Sequence, residues 1–249
     1  MSDTPGAPAE SATTVRARTA AIRGVSPLGF ALTLLCFLFA FNAVSCNTDA
    51  AKQTLHTAAG LTGGQTSTAA LDACLDALRG VNLFTYSGIN LAFGSAPSEV
   101  GSVPSACRSS QSGFNTATSP AAAAQAAIGV QPLALVAFIA CCVGVLLGAA
   151  FLLLPRRARF ALPVCALLAV DALVMLVVEQ SRAQSAVLQR IDSLAAGNGA
   201  PFSLAGYFRQ SSSLAYFLAL AVLGAVAVVA LAQWVMASRP RPQQARAPD

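Results

Sequence analysis

Two long apolar stretches joined by a short basic turn decide the fold: IGVQPLALVAFIACCVGVLLGAAFLLL (128–154), PRRAR (155–159) and FALPVCALLAVDALVMLVV (160–178). The first stretch has no charged residue, and at about 1.5 Å per helical residue it can cross a hydrocarbon core of about 30 Å with some tilt. The second stretch contains a single charge, Asp171. The pattern predicts a hairpin of two transmembrane helices whose basic turn lies in the cytoplasm.

Two further apolar segments flank this hairpin. Residues 26–44 carry no charge, and they are close to the lower length limit of about 17 residues for a transmembrane helix. Residues 214–236 form the other segment, and Pro240 and Pro242 prevent the tail after it from being helical. We therefore predict an all-α membrane protein, a four-transmembrane-helix bundle with a large extracytoplasmic loop between helices 1 and 2.

The predicted organisation follows from these segments and from the polar stretches between them. In chain order the parts are a disordered cytoplasmic tail (1–25), helix 1 (26–44), an extracytoplasmic loop (45–127), helix 2 (128–154), a cytoplasmic turn (155–159), helix 3 (160–180), an extracytoplasmic helical extension and loop (181–213), helix 4 (214–236) and a disordered cytoplasmic tail (237–249).

Composition and charge agree with a membrane protein. Of the 249 residues 55% are hydrophobic and only 10% are charged, which is too few charges to solvate a globular surface. The net charge of +5 does not indicate nucleic acid, because the arginines lie at the ends of apolar segments without interleaved aromatic residues. Their positions predict that both termini face the cytoplasm of a bacterial plasma (inner) membrane. These arginines are Arg16, Arg18, Arg23, Arg156, Arg157, Arg159, Arg239, Arg241 and Arg246.

Three of the seven cysteines, Cys46, Cys74 and Cys107, lie in the predicted outer loop, where an oxidising compartment permits disulfides. We predict one disulfide among them and one free thiol, with the pairing left open. Redox catalysis is disfavoured because there is no C-x-x-C pair. As an alternative, Ala43 to Cys46 could end a lipoprotein signal, in which Cys46 is acylated and helix 1 is removed.

Asp171 is the one carboxylate deep in an apolar segment, at a cost of about 2.5 to 3.5 kcal/mol near the centre of a span. We expect it to face other helices. It could hydrogen-bond to another helix or subunit, or it could relay a proton or cation; the first use is favoured because the other spans offer few polar partners at that depth. Glu179 lies nearer the outer end and is expected to reach water.

Small residues indicate where helices can approach each other closely. Gly144 and Gly148 form a G-x-x-x-G pattern in helix 2, and Ala221, Gly224 and Ala225 form a similar face in helix 4. The pattern leaves the partner open among helix 3, helix 4 and another copy of the chain.

The outer loop contains two further patterns. Leu71, Cys74, Leu75 and Leu78 have the i, i+3, i+4, i+7 spacing of an amphipathic helix. The stretch VNLFTYSGINLAFG (81–94) is rich in aromatic and β-favouring residues, which predicts a hairpin or a segment lying at the membrane interface. His56 has no second ligand at metal-binding spacing, so we expect a solvated side chain.

Two short motifs resemble those of small bacterial membrane proteins of unassigned function that are common in actinobacteria. One is F-x-x-V-S-C, here Phe41 to Cys46, and the other is T-x-S-G-x-x-L-A-x-G, here Thr85 to Gly94. The insertion between them is longer than usual in this chain and contains Cys74. The resemblance implies the membrane layout, and it implies no catalytic residue.

The sequence contains no phosphate-binding loop, nucleophile elbow or zinc-protease motif, so we predict no catalytic, cofactor-binding or metal-binding residue and no cofactor. The favoured function is a non-enzymatic membrane accessory protein whose outer loop binds or stabilises another envelope protein. A transporter that uses Asp171 and a sensor of envelope state are the alternatives. The predicted partners are the lipid bilayer and another membrane or envelope protein, or a second copy in a homo-oligomer, but not nucleic acid.

Overall fold

The computed structural model describes residues 26–62, 68–97, 99–100, 104–110, 127–153, 158–197 and 205–238. The chain is mostly helical and contains one small antiparallel sheet. In chain order its elements are α1 (Ser26–Phe37), β1 (Ala40–Cys46), α2 (Thr48–Thr62), α3 (Thr68–Leu78), β2 (Asn82–Ser87), α4 (Gly88–Phe93), β3 (Glu99–Val100), α5 (Pro132–Leu153), α6 (Ala158–Gly197), β4 (Phe208–Ser212) and α7 (Leu214–Ser238), with 3-10 helices at Ser105–Ser110 and Ala205–Tyr207.

Three of the described helices, α5, α6 and α7, are long and apolar enough to cross a membrane, whereas four were predicted. The prediction that helix 1 extends to residue 44 is wrong, because α1 ends at Phe37 and the chain continues as β1. At about 1.5 Å per residue, α1 is about 18 Å long. The helix ends there because β2 and β4 supply hydrogen-bond partners on both sides of the residues that follow.

The four apolar helices form one bundle. Helix α6 packs against α5 and α7, and α1 fills the remaining side. The glycines of the G-x-x-x-G pattern face α1: a Cβ atom at Gly144 would lie 2.7 Å from the Phe30 ring, and one at Gly148 would lie 2.8 Å from Pro27 Cβ. Gly29 of α1 in turn lies directly against Val226 of α7. The pattern in α5 is therefore occupied by α1, a partner that the sequence did not single out.

The sheet is assembled from two distant segments. Its strand order is β3-β2-β1-β4, so the strands before α5 pair with β4, which lies between α6 and α7. Ala43 stands opposite Thr85 on one side and Ser211 on the other. One buried core joins Val44 and Tyr86 of the sheet to Val187 of α6, so the sheet packs on the part of α6 that projects beyond the bundle. We call the sheet, α2 to α4 and the 3-10 helix Ser105–Ser110 the cap module.

The cap module contains more secondary structure than the sequence predicted. The predicted amphipathic helix is α3, but α2 was not predicted. Residues 82–93 form β2 followed directly by α4, rather than a hairpin. The predicted tails (1–25 and 237–249) and turn (155–159) lie wholly or largely outside the described residues.

Candidate functional site

A line of partly buried polar residues joins the cap module to the bundle. Gln180 of α6 donates hydrogen bonds to Asn42 Oδ1 (2.5 Å) and Ser212 Oγ (2.6 Å), so one amide links α6, β1 and β4. Gln210 of β4 adds a bond from its Nε2 to the Gln184 carbonyl oxygen (3.2 Å). We call these five residues the polar seam. Asn42 is fully buried, which makes its hydrogen bond to Gln180 costly to lose.

Glu179 lies beside the polar seam, and the expectation that it reaches water is wrong, since only 2% of it is exposed. Its carboxylate faces the backbone N–H groups of Leu133 and Ala134, although neither oxygen makes a well-formed hydrogen bond with a described residue. The first N–H groups of a helix lack intrahelical partners and carry partial positive charge. The Glu179 carboxylate of α6 therefore lies at the first turn of α5.

The T-x-S-G motif starts α4 with a reciprocal cap. The Asn90 backbone N–H donates to Ser87 Oγ (3.1 Å), and the Ser87 N–H donates to Asn90 Oδ1 (2.9 Å). The Asn90 amide group also donates to Ser95 Oγ and to the Ala96 carbonyl oxygen. The two residues together fix a short helix that would be unstable on its own.

The two glycines of the same motif permit close backbone contacts. A Cβ atom at Gly88 would lie 2.9 Å from the Cα of Phe37, at the end of α1. Gly94 has a φ of +68°, and a Cβ there would lie 2.5 Å from the backbone nitrogen of Val130. Both positions thus need glycine for packing between the cap module and the bundle.

The prediction of one disulfide among the three loop cysteines is confirmed. Cys74 and Cys107 are bonded and fully buried, and they join α3 to the 3-10 helix Ser105–Ser110. Cys46 is free and packs against this small core. Burial raises the pKa of the Cys46 thiol above its ordinary value, so little of the reactive thiolate is present at neutral pH. The arrangement favours a structural disulfide over thiol–disulfide exchange.

Helices α2 and α3 are held together by a row of charges. Arg79 Nη2 lies 2.6 Å from Asp49 Oδ1, and Lys52 Nζ lies 2.6 Å from Asp76 Oδ1. The hydrogen bond from Lys52 lowers the pKa of Asp76. We call these two pairs, with a third between His56 and Asp72, the charge row.

His56 is exposed as expected, but its Nε2 lies 3.5 Å from Asp72 Oδ1, a neighbour that the sequence analysis missed. Asp49, Lys52 and His56 lie at i, i+3 and i+7, which is one face of a helix. This spacing could indicate that the three residues share one face, but only after residues 48–62 are recognised as a helix.

The expectation that Asp171 faces other helices is wrong for the helices of this chain, whereas a hydrogen bond to another subunit stays a prediction. Asp171 lies on the exposed side of α6, and it makes no hydrogen bond or ion pair with any residue within the described ranges. The side chains before and after it on that side are apolar and exposed, with values of 70% for Leu167 and 48% for Val174.

The predicted packing face of helix 4 is used only in part. A Cβ atom at Gly224 of α7 would lie 3.8 Å from the Leu173 side chain of α6, which is an ordinary contact distance. Ala221 and Ala225 instead lie on the exposed side of α7. Their small size predicts a packing face, but the neighbouring helices contact the opposite side of α7.

Compared with known proteins, the chain matches no family model, no curated protein and no solved structure.

Proposed function

We propose that this chain is an integral membrane protein whose four apolar helices lie in the bilayer, with the cap module outside and both termini in the cytoplasm. Three lines of support lead to this layout. Helices α5, α6 and α7 are long enough to span, and α1 is packed among them through Gly29 and Gly144. In the sequence, the basic clusters precede α1, connect α5 to α6 and follow α7, and such clusters favour the cytoplasmic side.

Helix α1 is shorter than a hydrocarbon core of about 30 Å. Its exposed leucines are followed by Leu38 and Phe39, both 58% exposed, which extend the apolar surface to the start of β1. Cleavage before Cys46 would remove α1 and leave Gly144 and Gly148 without the side chains that now cover them. We therefore propose that α1 is retained and Cys46 is not acylated.

We further propose that the protein is a non-enzymatic accessory subunit whose cap module binds or stabilises another envelope protein. The observation that carries this proposal is the composite construction of the cap: two distant segments are joined by the pairing of β1 with β4 and by the polar seam. Within the first of these segments, the Cys74–Cys107 disulfide ties α3 to the 3-10 helix Ser105–Ser110. The buried polar residues of the cap are thus used to fix its shape. A fixed shape on a projecting helix suits recognition of a partner.

Strand β4 offers an accessible part of this surface. It is an edge of the sheet, and the side chains of Arg209 and Ser211 are exposed. Exposed edge strands can pair with an extended segment of another protein. We propose that the partner binds along β4.

The transporter alternative is less well supported. A carboxylate that carries protons or cations through a bundle has to line a path between the helices. Asp171 instead lies on the outer side of α6. Its position favours association with another helix over transport.

The test is co-purification from bacterial membranes in mild detergent, followed by mass spectrometry. Ser211→Glu places a charge on β4, and Thr57→Glu places the same charge on an exposed position of α2 as a matched control. We expect a stoichiometric companion protein with the wild-type chain and with Thr57→Glu, and its loss with Ser211→Glu. The proposal fails if the wild-type chain has no stoichiometric companion, or if both variants lose it equally.

A further inference from the structure

Asp171 is exposed at a depth along α6 where a carboxyl group is expected to need a hydrogen-bond partner. It lies eight residues before Glu179, which is level with the first turn of α5. At about 1.5 Å per residue this places Asp171 about 12 Å below the cap end of the bundle. In the proposed topology, on which this inference rests, that depth is inside the hydrocarbon layer. A carboxyl group facing lipid there is costly unless another molecule supplies a hydrogen-bond partner.

The side of α6 that carries Asp171 has the spacing of a coiled-coil seam. Exposed residues recur at alternating intervals of three and four, and Asp171 is the single acidic member among apolar positions within the apolar part of the helix. In this spacing Val164, Asp171 and Val178 are a positions, and Leu167 and Val174 are d positions. Valine at a and leucine at d are typical of two-stranded coiled coils, and one polar residue at an a position typically fixes the register and the number of helices. The members of this seam are Val164, Leu167, Asp171, Val174, Val178, Ser181 and Ser185.

The chain itself limits which group could meet Asp171. Apart from Trp234 and Ser238 near the end of α7, the exposed residues of α1, α5 and α7 within the described ranges are apolar. Trp234, with an indole N–H, lies twenty residues after Leu214, about 30 Å from the cap end and far from the depth of Asp171. A second copy can therefore offer only its own Asp171 at the matching depth. Two carboxyl groups can hydrogen-bond to each other, one as donor and the other as acceptor, so Asp171 of one copy can pair with Asp171 of the other.

We propose that the seam of α6 is the interface of a parallel homodimer in which Asp171 of each copy hydrogen-bonds to Asp171 of the other. A two-fold axis along the membrane normal brings each seam residue opposite its own copy. The dimer places two cap modules side by side on the same face of the membrane.

Oxidative cross-linking in native membranes tests this geometry with Asp171 intact. Single cysteines at Leu167 and Val174 should form covalent dimers several-fold above the wild-type chain, whose native cysteines provide the blank. Cysteines at Leu146 of α5 and Val228 of α7 are matched controls, since these residues are 69% and 68% exposed but lie on other sides of the bundle. They should stay at the blank level.

The contribution of Asp171 is tested in the Val174→Cys background. Asp171→Asn keeps a donor and an acceptor and should retain cross-linking, whereas Asp171→Leu should lower it several-fold. Equal cross-linking at all four cysteine positions, adducts with a different protein at the seam positions, or no difference between the Asn and Leu variants would overturn the proposal. Alkaline carbonate extraction separates the two hypotheses: a chain that leaves the membrane refutes the topology, and one that stays without seam cross-links refutes only the dimer.

Discussion

At the scale of single residues, Gln180 shows how a polar side chain can determine the architecture. It lies where α6 leaves the apolar bundle, and its two hydrogen bonds reach strands that come from different segments of the chain. The sequence drew attention to the charged neighbours Asp171 and Glu179, because charges are conspicuous in apolar runs. A neutral amide gives no comparable signal, and its partners Asn42 and Ser212 are distant in sequence.

We expect Gln180→Ala to lower the free energy of unfolding by about 1 to 3 kcal/mol, because Asn42 would be left buried without its hydrogen bond. The measurement is thermal or denaturant unfolding of the purified protein in detergent. Gln189→Ala is the control, since Gln189 is exposed on the same helix. A Gln180→Ala variant as stable as this control would contradict a stabilising role for the polar seam.

The positive-φ glycines allow a second comparison at the same scale. Gly80 (φ +76°) has open space where a Cβ would lie, whereas Gly94 (φ +68°) is in contact with the backbone at Val130. Alanine at either position has a conformational cost of about 1 to 2 kcal/mol. Gly94→Ala should lose about 1 to 3 kcal/mol more, because its Cβ would displace that backbone. Equal unfolding free energies for the two variants would argue against close packing of α4 on the start of α5.

At the scale of elements, the sequence predicted the long helices, because their apolar composition and length are visible in local sequence. Predicted helices 2 and 4 (128–154 and 214–236) coincide closely with α5 and α7, and α6 ends at Gly197, its first glycine. Strand β1 was missed because its residues Ala40 to Val44 are uncharged and, apart from Asn42, apolar, so that they continue the run of helix 1. Its pairing with β2, about 40 residues later, and with β4, about 170 residues later, makes it a strand, and such pairing is not visible in local sequence.

The charge row is expected to make the α2–α3 pair sensitive to acid. The pKa of Asp76 is lowered in the folded protein, so its contribution to stability is complete above the ordinary aspartate pKa of about 3.9. That contribution is lost as the pH falls through the lowered value. Amide exchange protection in α2 and α3 should therefore decrease at pH 3 relative to pH 7, and this segment should change more than α5.

Asp76→Asn is the control for this prediction. It should reduce protection of α2 and α3 already at pH 7 and should make the response to acid smaller, since the group that titrates is gone. Equal acid responses in the variant and the wild-type chain would exclude Asp76 as the cause.

At the scale of the whole molecule, the contacts of the described residues distinguish the two ends of the helix bundle. Near the cap end, the Ser213 N–H donates to the Phe41 carbonyl oxygen and the Gln131 N–H donates to the Leu91 carbonyl oxygen. Toward the other end, Pro27 lies against Gly148, and α5 is followed by the basic turn that leads into α6. The arginine positions in the sequence predict which helix ends lie on the same side of the bundle. The outward direction of Asp171 depends instead on how all four helices pack around one another, which the local sequence does not show.

Cysteine accessibility in intact cells tests the resulting orientation. A tag at Ser109 lies in the 3-10 helix of the cap module, and it should react with a membrane-impermeant thiol reagent. Tags at Ser11 and Gln243 precede α1 and follow α7, so they should react only after the membrane is permeabilised. The wild-type chain measures the background from Cys46, the partly buried free thiol of the cap. If the tag at Gln243 is labelled in intact cells while that at Ser11 is protected, the number of membrane crossings is odd and α1 does not span. Labelling of both tails with protection of Ser109 would instead place the cap module in the cytoplasm, against the arginine distribution.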